Sequence, residues 1–110
     1  MKGGLPGQAG MLKQLQSLQE DLLKAQEEIA AMTVTATAGG GAVTAVVSGD
    51  RRVRSITIQP EVVDPEDVEM LQDLIVAAVN QGLEQVERAA AEKMNEVTGG
   101  LGGLAGGLLG

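Results

Sequence analysis

Five carboxylates crowd one short stretch of the chain: Glu61, Asp64, Glu66, Asp67 and Glu69. Carboxylates this close can chelate a hard cation or divide acid and base roles between them. The chain has no His and no Cys, so no nitrogen or thiolate ligand joins them. The same residues suit the start of a helix. Asp64 would be the N-cap and Pro65 would sit at N1. Glu66 and Asp67 would fill the first turn, where the helix dipole favours negative charge. Asp67 at N3 approximates a capping box. A second candidate, Gly39-Gly40-Gly41, lacks the following helix and Lys-Ser/Thr pair of a phosphate loop and reads as a hairpin turn. Ser17, Ser48 and Ser55 have no imidazole to activate them. The expectation is a protein with no catalytic residues, no metal and no cofactor, hence not an enzyme.

The basic residues are the remaining candidates. Lys13 and Lys24 are eleven positions apart, close to three helical turns, and share one stripe of a helix. Arg51, Arg52 and Arg54 cluster where a strand begins, partly offset by Asp50. Arg88 and Lys93 lie in a charged stretch near the C-terminus. Solvated surface charge and protection of a strand edge are the bland account of these groups. In a two-fold dimer each is doubled, which would make positive patches on an acidic body. The net charge of −7 opposes contact with phosphates, and the absence of Phe, Trp and Tyr removes base stacking on aromatic rings.

Three segments must position these residues. From Met11 to Met32, apolar residues fall at Met11, Leu15, Leu18, Leu22, Ala25, Ile29 and Met32, in steps of four and three. That is a heptad seam, widened by Leu12 and Leu23, and it needs a second helix. Glu20 and Lys24 stand in the favourable i,i+4 order. Thr33–Ala38, Ala42–Ser48 and Val53–Gln59 alternate with period two, are rich in β-branched residues and are separated by GGG and Gly49-Asp50. They predict a three-stranded antiparallel meander ended by Pro60. A long helix follows, with its stripe at Val68, Leu71, Ile75, Val79, Leu83, Val86, Ala90, Met94 and Val97. Leu74 and Val76 make its first half apolar nearly all round, so the sheet and a twin chain should both cover it. Its second half is charged, with Glu84 and Arg88 as an i,i+4 pair, and Gly99-Gly100 should end it.

The fold class expected is α+β: N-terminal helix, three-stranded antiparallel sheet and long C-terminal helix, in an intertwined homodimer with projecting helical arms. Residues 1–10 read as a flexible Gly-rich arm, 11–98 as one domain, and 99–110 (GGLGGLAGGLLG) as a disordered tail whose leucines lack a fixed period. With 110 residues and no aromatic rings, a lone protomer has little core to bury, which also favours a shared one. The start, MKGGLPGQAGMLKQ, has no continuous apolar leader, and the run Leu74 to Val79 falls far short of the ~20 residues of a membrane span. The expectation is a cytoplasmic protein with no membrane partner.

Three stretches in this order carry a resemblance: GGGAV at 39–43, ITIQPEVVDPEDVEMLQDLIVAA at 56–78 and AAEKMNEVTGG at 90–100, preceded by MLKQLQSLQEDL. Together they resemble the YbaB/EbfC family of bacterial nucleoid-associated proteins over nearly the whole chain. The resemblance implies a homodimer with tweezer-like helical arms. It also implies binding to double-stranded DNA with little sequence preference, organisation or protection of the nucleoid, and effects on gene expression. The resemblance implies that the projecting helices grip DNA, and on that reading the dimer binds weakly through Lys13, Lys24, Arg88 and Lys93, with help from Arg51, Arg52 and Arg54. Gln14, Gln16 and Gln19 stand where many relatives are richer in Lys, which implies fewer phosphate contacts and a shallower salt dependence. The alternative is an acidic adaptor whose helical arm or Gly/Leu tail docks on a replication or recombination protein.

Overall fold

A computed structural model describes the backbone of residues 6–109 and the side chains of residues 10–99. The order is α1 (Pro6–Ala31), β1 (Thr33–Ala38), β2 (Val43–Ser48), β3 (Val53–Ile58), a short 3₁₀ turn (Pro60–Val62) and α2 (Val68–Leu109). The helix–meander–helix order and the three strands match the sequence expectation. β2 is the central strand of an antiparallel sheet of order β1-β2-β3.

Period-two alternation sorts the sheet into two faces. Val43, Ala45 and Val47 of β2 are fully buried, with Ala36 of β1 beside them. Ala38, Ile56 and Ile58 line the same side, and Leu71, Leu74, Ile75, Ala78 and Val79 of α2 cover it. The other face is small and polar. Thr37, Thr44 and Thr57 stand in one cross-strand row, and Thr35, Val46 and Ser55 in the next. No large ring fills the core, so closeness of approach does the work. Gly82 lets α2 cross β2 tightly: a Cβ there would lie 2.6 Å from Val47 Cγ2. The three glycines of the β1–β2 loop all have positive φ (65°, 66° and 93°), a conformation that disfavours any side chain.

Both helices differ from expectation at their ends. α2 begins at Val68, and its cap is Asp67 rather than Asp64: Met70 N–H donates to Asp67 Oδ1 at 3.2 Å. Asp64 instead closes a turn, accepting from Glu66 N–H at 2.9 Å through Oδ1 and from Asp67 N–H at 3.0 Å through its carbonyl. An Asp side chain offers the backbone this local alternative to a helix. α1 takes Pro6 as its first residue, where a missing N–H is harmless. α2 passes through Gly99-Gly100 and ends at Leu109. Both helices therefore run into the segments expected to be arm and tail; side chains of 1–9 and 100–110 lie outside the described residues. Within the described residues no helix is long and apolar enough to cross a membrane.

Candidate nucleic-acid interface

The candidate cations gather in two places: Arg51, Arg52 and Arg54 on one turn, and Lys24 with Lys93 along one cleft. The three arginines sit at the β2–β3 turn, a three-residue loop that contains the expected Gly49-Asp50 turn. Ser48 and Arg52 close it, with Ser48 N–H donating to Arg52 O at 2.9 Å and Arg51 N–H donating to Ser48 O at 2.9 Å. The third loop position of such a hairpin needs left-handed backbone, and Arg51 occupies it at φ 63°.

The register then slips between Val46 and Val47: Val46 faces Ser55, but Val47 faces Val53. Arg54 is thus the extra residue of a β-bulge, and a bulge re-aims the side chain it carries. Strict alternation from Ile58 and Ile56 would turn residue 54 toward the core. Instead its guanidinium ends on the turn. Nε donates to Ser48 Oγ at 2.8 Å and Nη2 to Asp50 Oδ2 at 2.8 Å. The Ser48 hydroxyl, 1% exposed, donates in turn to Asp50 Oδ1. This hydroxyl, followed by the charges of Arg54 and Arg52, holds the Asp50 carboxyl below its usual range. Arg52 Nε approaches the same carboxylate only to 3.9 Å, with its side chain 75% exposed. In the sequence Asp50 reads only as a partial offset to the arginines and Ser48 has no part in the site; a polar residue at both ends of a Gly-containing turn beside an Arg cluster was the available signal.

The turn is fixed against α1. Gly49 N–H donates to Met32 O at 2.9 Å, and a Cβ on Gly49 would fall 1.7 Å from Ile29 O. Glycine here permits backbone contact between the hairpin and the end of α1.

The helical cations are placed differently. Lys93 Nζ is 2.7 Å from Glu28 Oε2, an ion pair that ties α2 to α1. The pair raises the Lys93 pKa and lowers that of Glu28, through the hydrogen bond first and the charge second. Lys24 lines the same shallow cleft as Asp21, Glu28, Lys93 and Glu96, so carboxylates surround it. Lys13 is exposed on α1, and no carboxylate precedes Glu20 in the sequence. Arg88 is exposed on α2. Neither the Glu84–Arg88 pair nor the Glu20–Lys24 pair forms among the described residues.

Around these cations apolar surface is left bare. Leu12 and Leu23 are each 61% exposed, Met11 and Leu15 similarly so, and Val76 on α2 is 58% exposed. The apolar seam of α1 is thus only partly covered within one chain, as its heptad pattern anticipated. No cluster of three or more His, Cys, Asp or Glu suited to a metal ion occurs among the described residues.

Comparison with known proteins adds a second line of observation. Residues 4–101 match the YbaB/EbfC DNA-binding family. A nucleoid-associated protein of Acetivibrio thermocellus is 51% identical over 109 residues, covering 96% of this chain and 96% of that protein. One of Alkaliphilus metalliredigens is 52% identical over 99 residues, covering 90% of this chain and 87% of its own length. One of Chloroflexus aurantiacus is 50% identical over 97 residues, covering 88% and 97%. Among solved structures, an uncharacterized protein of Helicobacter pylori, HP0035, is similar in fold. It has a TM-score of 0.57 at 23% identity, over 71% of this chain and 90% of that one.

Proposed function

Because the chain belongs to the YbaB/EbfC DNA-binding family, we propose that it is a nucleoid-associated protein that binds double-stranded DNA as a homodimer, largely without regard to sequence. The observation that carries this reading is the arginine-tipped β2–β3 turn, in which three cations within four positions stand on the surface of a family member. Exposed guanidinium groups suit phosphate oxygens, which every duplex presents alike. No aromatic platform for single strands exists, since the chain has no Phe, Trp or Tyr. The bare apolar seam of α1, with Met11 and Leu15 exposed on it, supports a second copy as partner. A dimer doubles the arginine turns, so one protein can hold two backbone segments. Its place is the cytoplasm, on the nucleoid, where coating or bridging of DNA alters gene expression; Lys13, Lys24 and Arg88 add contacts.

The test is a salt titration of binding to unrelated duplexes, with the mass in solution measured alongside. Binding that falls linearly with log salt on every duplex, by a particle of twice the chain mass, is the expected result. Absence of binding near 50 mM salt overturns it and favours the acidic adaptor for a replication or recombination protein. Deleting residues 99–110 would then abolish partner binding, whereas the DNA reading gives that segment little role.

A further inference from the structure

We propose that the β2–β3 turn is a DNA-backbone contact in its own right, with Arg51 as its principal phosphate ligand, Arg52 beside it, and Arg54, Asp50 and Ser48 as positioning residues. This rests on the DNA-binding reading and assigns the site within it.

The argument starts from the backbone. Arg51 has φ 63°, a conformation that glycine adopts readily and L side chains rarely do. Its one structural service, N–H donation to Ser48 O at 2.9 Å, comes from the main chain and needs no side chain. Its guanidinium makes no hydrogen bond or ion pair among the described residues. A long cationic side chain thus occupies a strained position where glycine would serve the fold better. Strain of this kind is retained where the side chain has other work.

Charge points the same way. Asp50, Arg51, Arg52 and Arg54 together carry +2 on a chain of −7. The helical cations are more scattered: Lys93 is spent on Glu28 at 2.7 Å, Lys24 shares its cleft with Asp21, Glu28 and Glu96, and Lys13 and Arg88, both exposed, lie on different helices. Within the turn the roles divide. Arg54 uses both Nε and Nη2 internally and binds Asp50 in place, leaving Arg51 and Arg52 outermost. The Gly49–Met32 hydrogen bond and the close approach to Ile29 fix the turn on the end of α1. The two outer guanidinium groups are therefore presented on a rigid support, which limits the ordering lost on binding.

The experiment compares the full chain with Arg51→Gly and Arg51→Lys in a salt series on two unrelated duplexes, with thermal melts of each. Arg51→Gly is expected to raise the melting temperature by roughly 2–6 °C through relief of the left-handed backbone. The same change should weaken DNA binding roughly four- to eightfold per lost contact at 0.1–0.2 M salt and reduce the slope against log salt by about 0.9 per contact. Arg51→Lys keeps the charge and should keep the slope. If the unaltered protein binds DNA and Arg51→Gly leaves slope and affinity unchanged, the assignment to the turn is overturned while DNA binding stands. If the unaltered protein binds neither duplex near 50 mM salt, the DNA reading itself falls.

Discussion

Gly49→Ala isolates the contact that seats the arginine turn. An alanine Cβ would lie 1.7 Å from Ile29 O, 2.6 Å from Ile29 C and 3.2 Å from Ile29 Cγ2. Carbon and carbonyl oxygen come no closer than about 3.3 Å even in favourable contacts, so the turn must withdraw by about 1.5 Å. The obstacle is backbone, which no rotamer change removes. Withdrawal breaks the 2.9 Å hydrogen bond from Gly49 N–H to Met32 O, worth about 0.5–1.5 kcal/mol. Overpacking adds about 1–3 kcal/mol. Together, about 1.5–4.5 kcal/mol, they lower the thermal midpoint of a domain this size by roughly 6–25 °C. Gly40→Ala is the comparison. Its Cβ meets nothing within 4 Å, but its φ is 66°. It bears only the left-handed penalty of about 1–2 kcal/mol, offset in part by lower unfolded-state entropy. Urea and thermal denaturation of both variants decide the matter. A Gly49→Ala midpoint within about 3 °C of the original protein, or a larger loss for Gly40→Ala, refutes the reasoning.

Three further perturbations follow from the charges. Glu28 has a lowered pKa and Lys93 a raised one. Stability from their pair is therefore full above the ordinary Glu value and is lost as pH falls through the depressed one. On the alkaline side it is full below the ordinary Lys value and is lost as pH rises through the raised one. Glu28→Gln should flatten this dependence at both ends, and high salt should mimic part of the change in denaturation midpoints because both groups are partly exposed. Asp50→Asn removes the anion that competes with phosphate for Arg52 and Arg54. It also frees Arg54 from the turn, so DNA binding in fluorescence anisotropy should weaken despite the gain in charge, and tighter binding would show that Asp50 acts as a competing counter-charge rather than as a positioning residue. Charge reversal of Lys13 and Lys24 together should weaken binding to all sequences alike in gel-shift titrations at fixed salt, and an unchanged titration would remove them from the site.

The strands were legible because alternation and turn residues agree: TVTATA and AVTAVVS each bury one side. The helical seam was equally plain from the four-three spacing. The start of α2 was not, because Asp64-Pro65-Glu66-Asp67 holds two Asp residues able to accept from a backbone N–H two or three positions on. Propensity alone cannot choose which closes a turn and which caps a helix. Gly99-Gly100 read as a stop from propensity, whereas α2 runs on to Leu109. At the site, the Arg cluster was visible in the sequence, but its internal order was not. The bulge that re-aims Arg54 and the left-handed backbone at Arg51 arise from pairing register, a property of two strands together. The Glu28–Lys93 pair joins helices separated by the whole sheet, so no local spacing announced it.

The acidic cluster that follows β3 is compatible with a cationic turn at its other end because the strand separates the two. The turn stands at the N-terminal end of β3, and the carboxylates of Glu61, Asp64, Glu66, Asp67 and Glu69 follow its C-terminal end. A six-residue strand at about 3.3 Å per residue holds the two ends roughly 17 Å apart. The Debye length near physiological salt is about 8 Å, so the acidic end scarcely weakens the field at the turn. Those carboxylates also stay away from an approaching duplex while it meets the arginines. Their repulsion then acts on orientation: DNA that approaches the acidic end is turned away, and DNA that approaches the turn is not. Low salt lengthens the screening distance to about 30 Å at 0.01 M and brings the two ends into contact electrostatically. Neutralising Glu66 and Asp67 together should therefore raise DNA affinity at 0.01 M salt and leave it unchanged at 0.15 M. An equal gain at both concentrations would mean that the acidic end lies against the bound duplex, and the separation argued from the strand would fail.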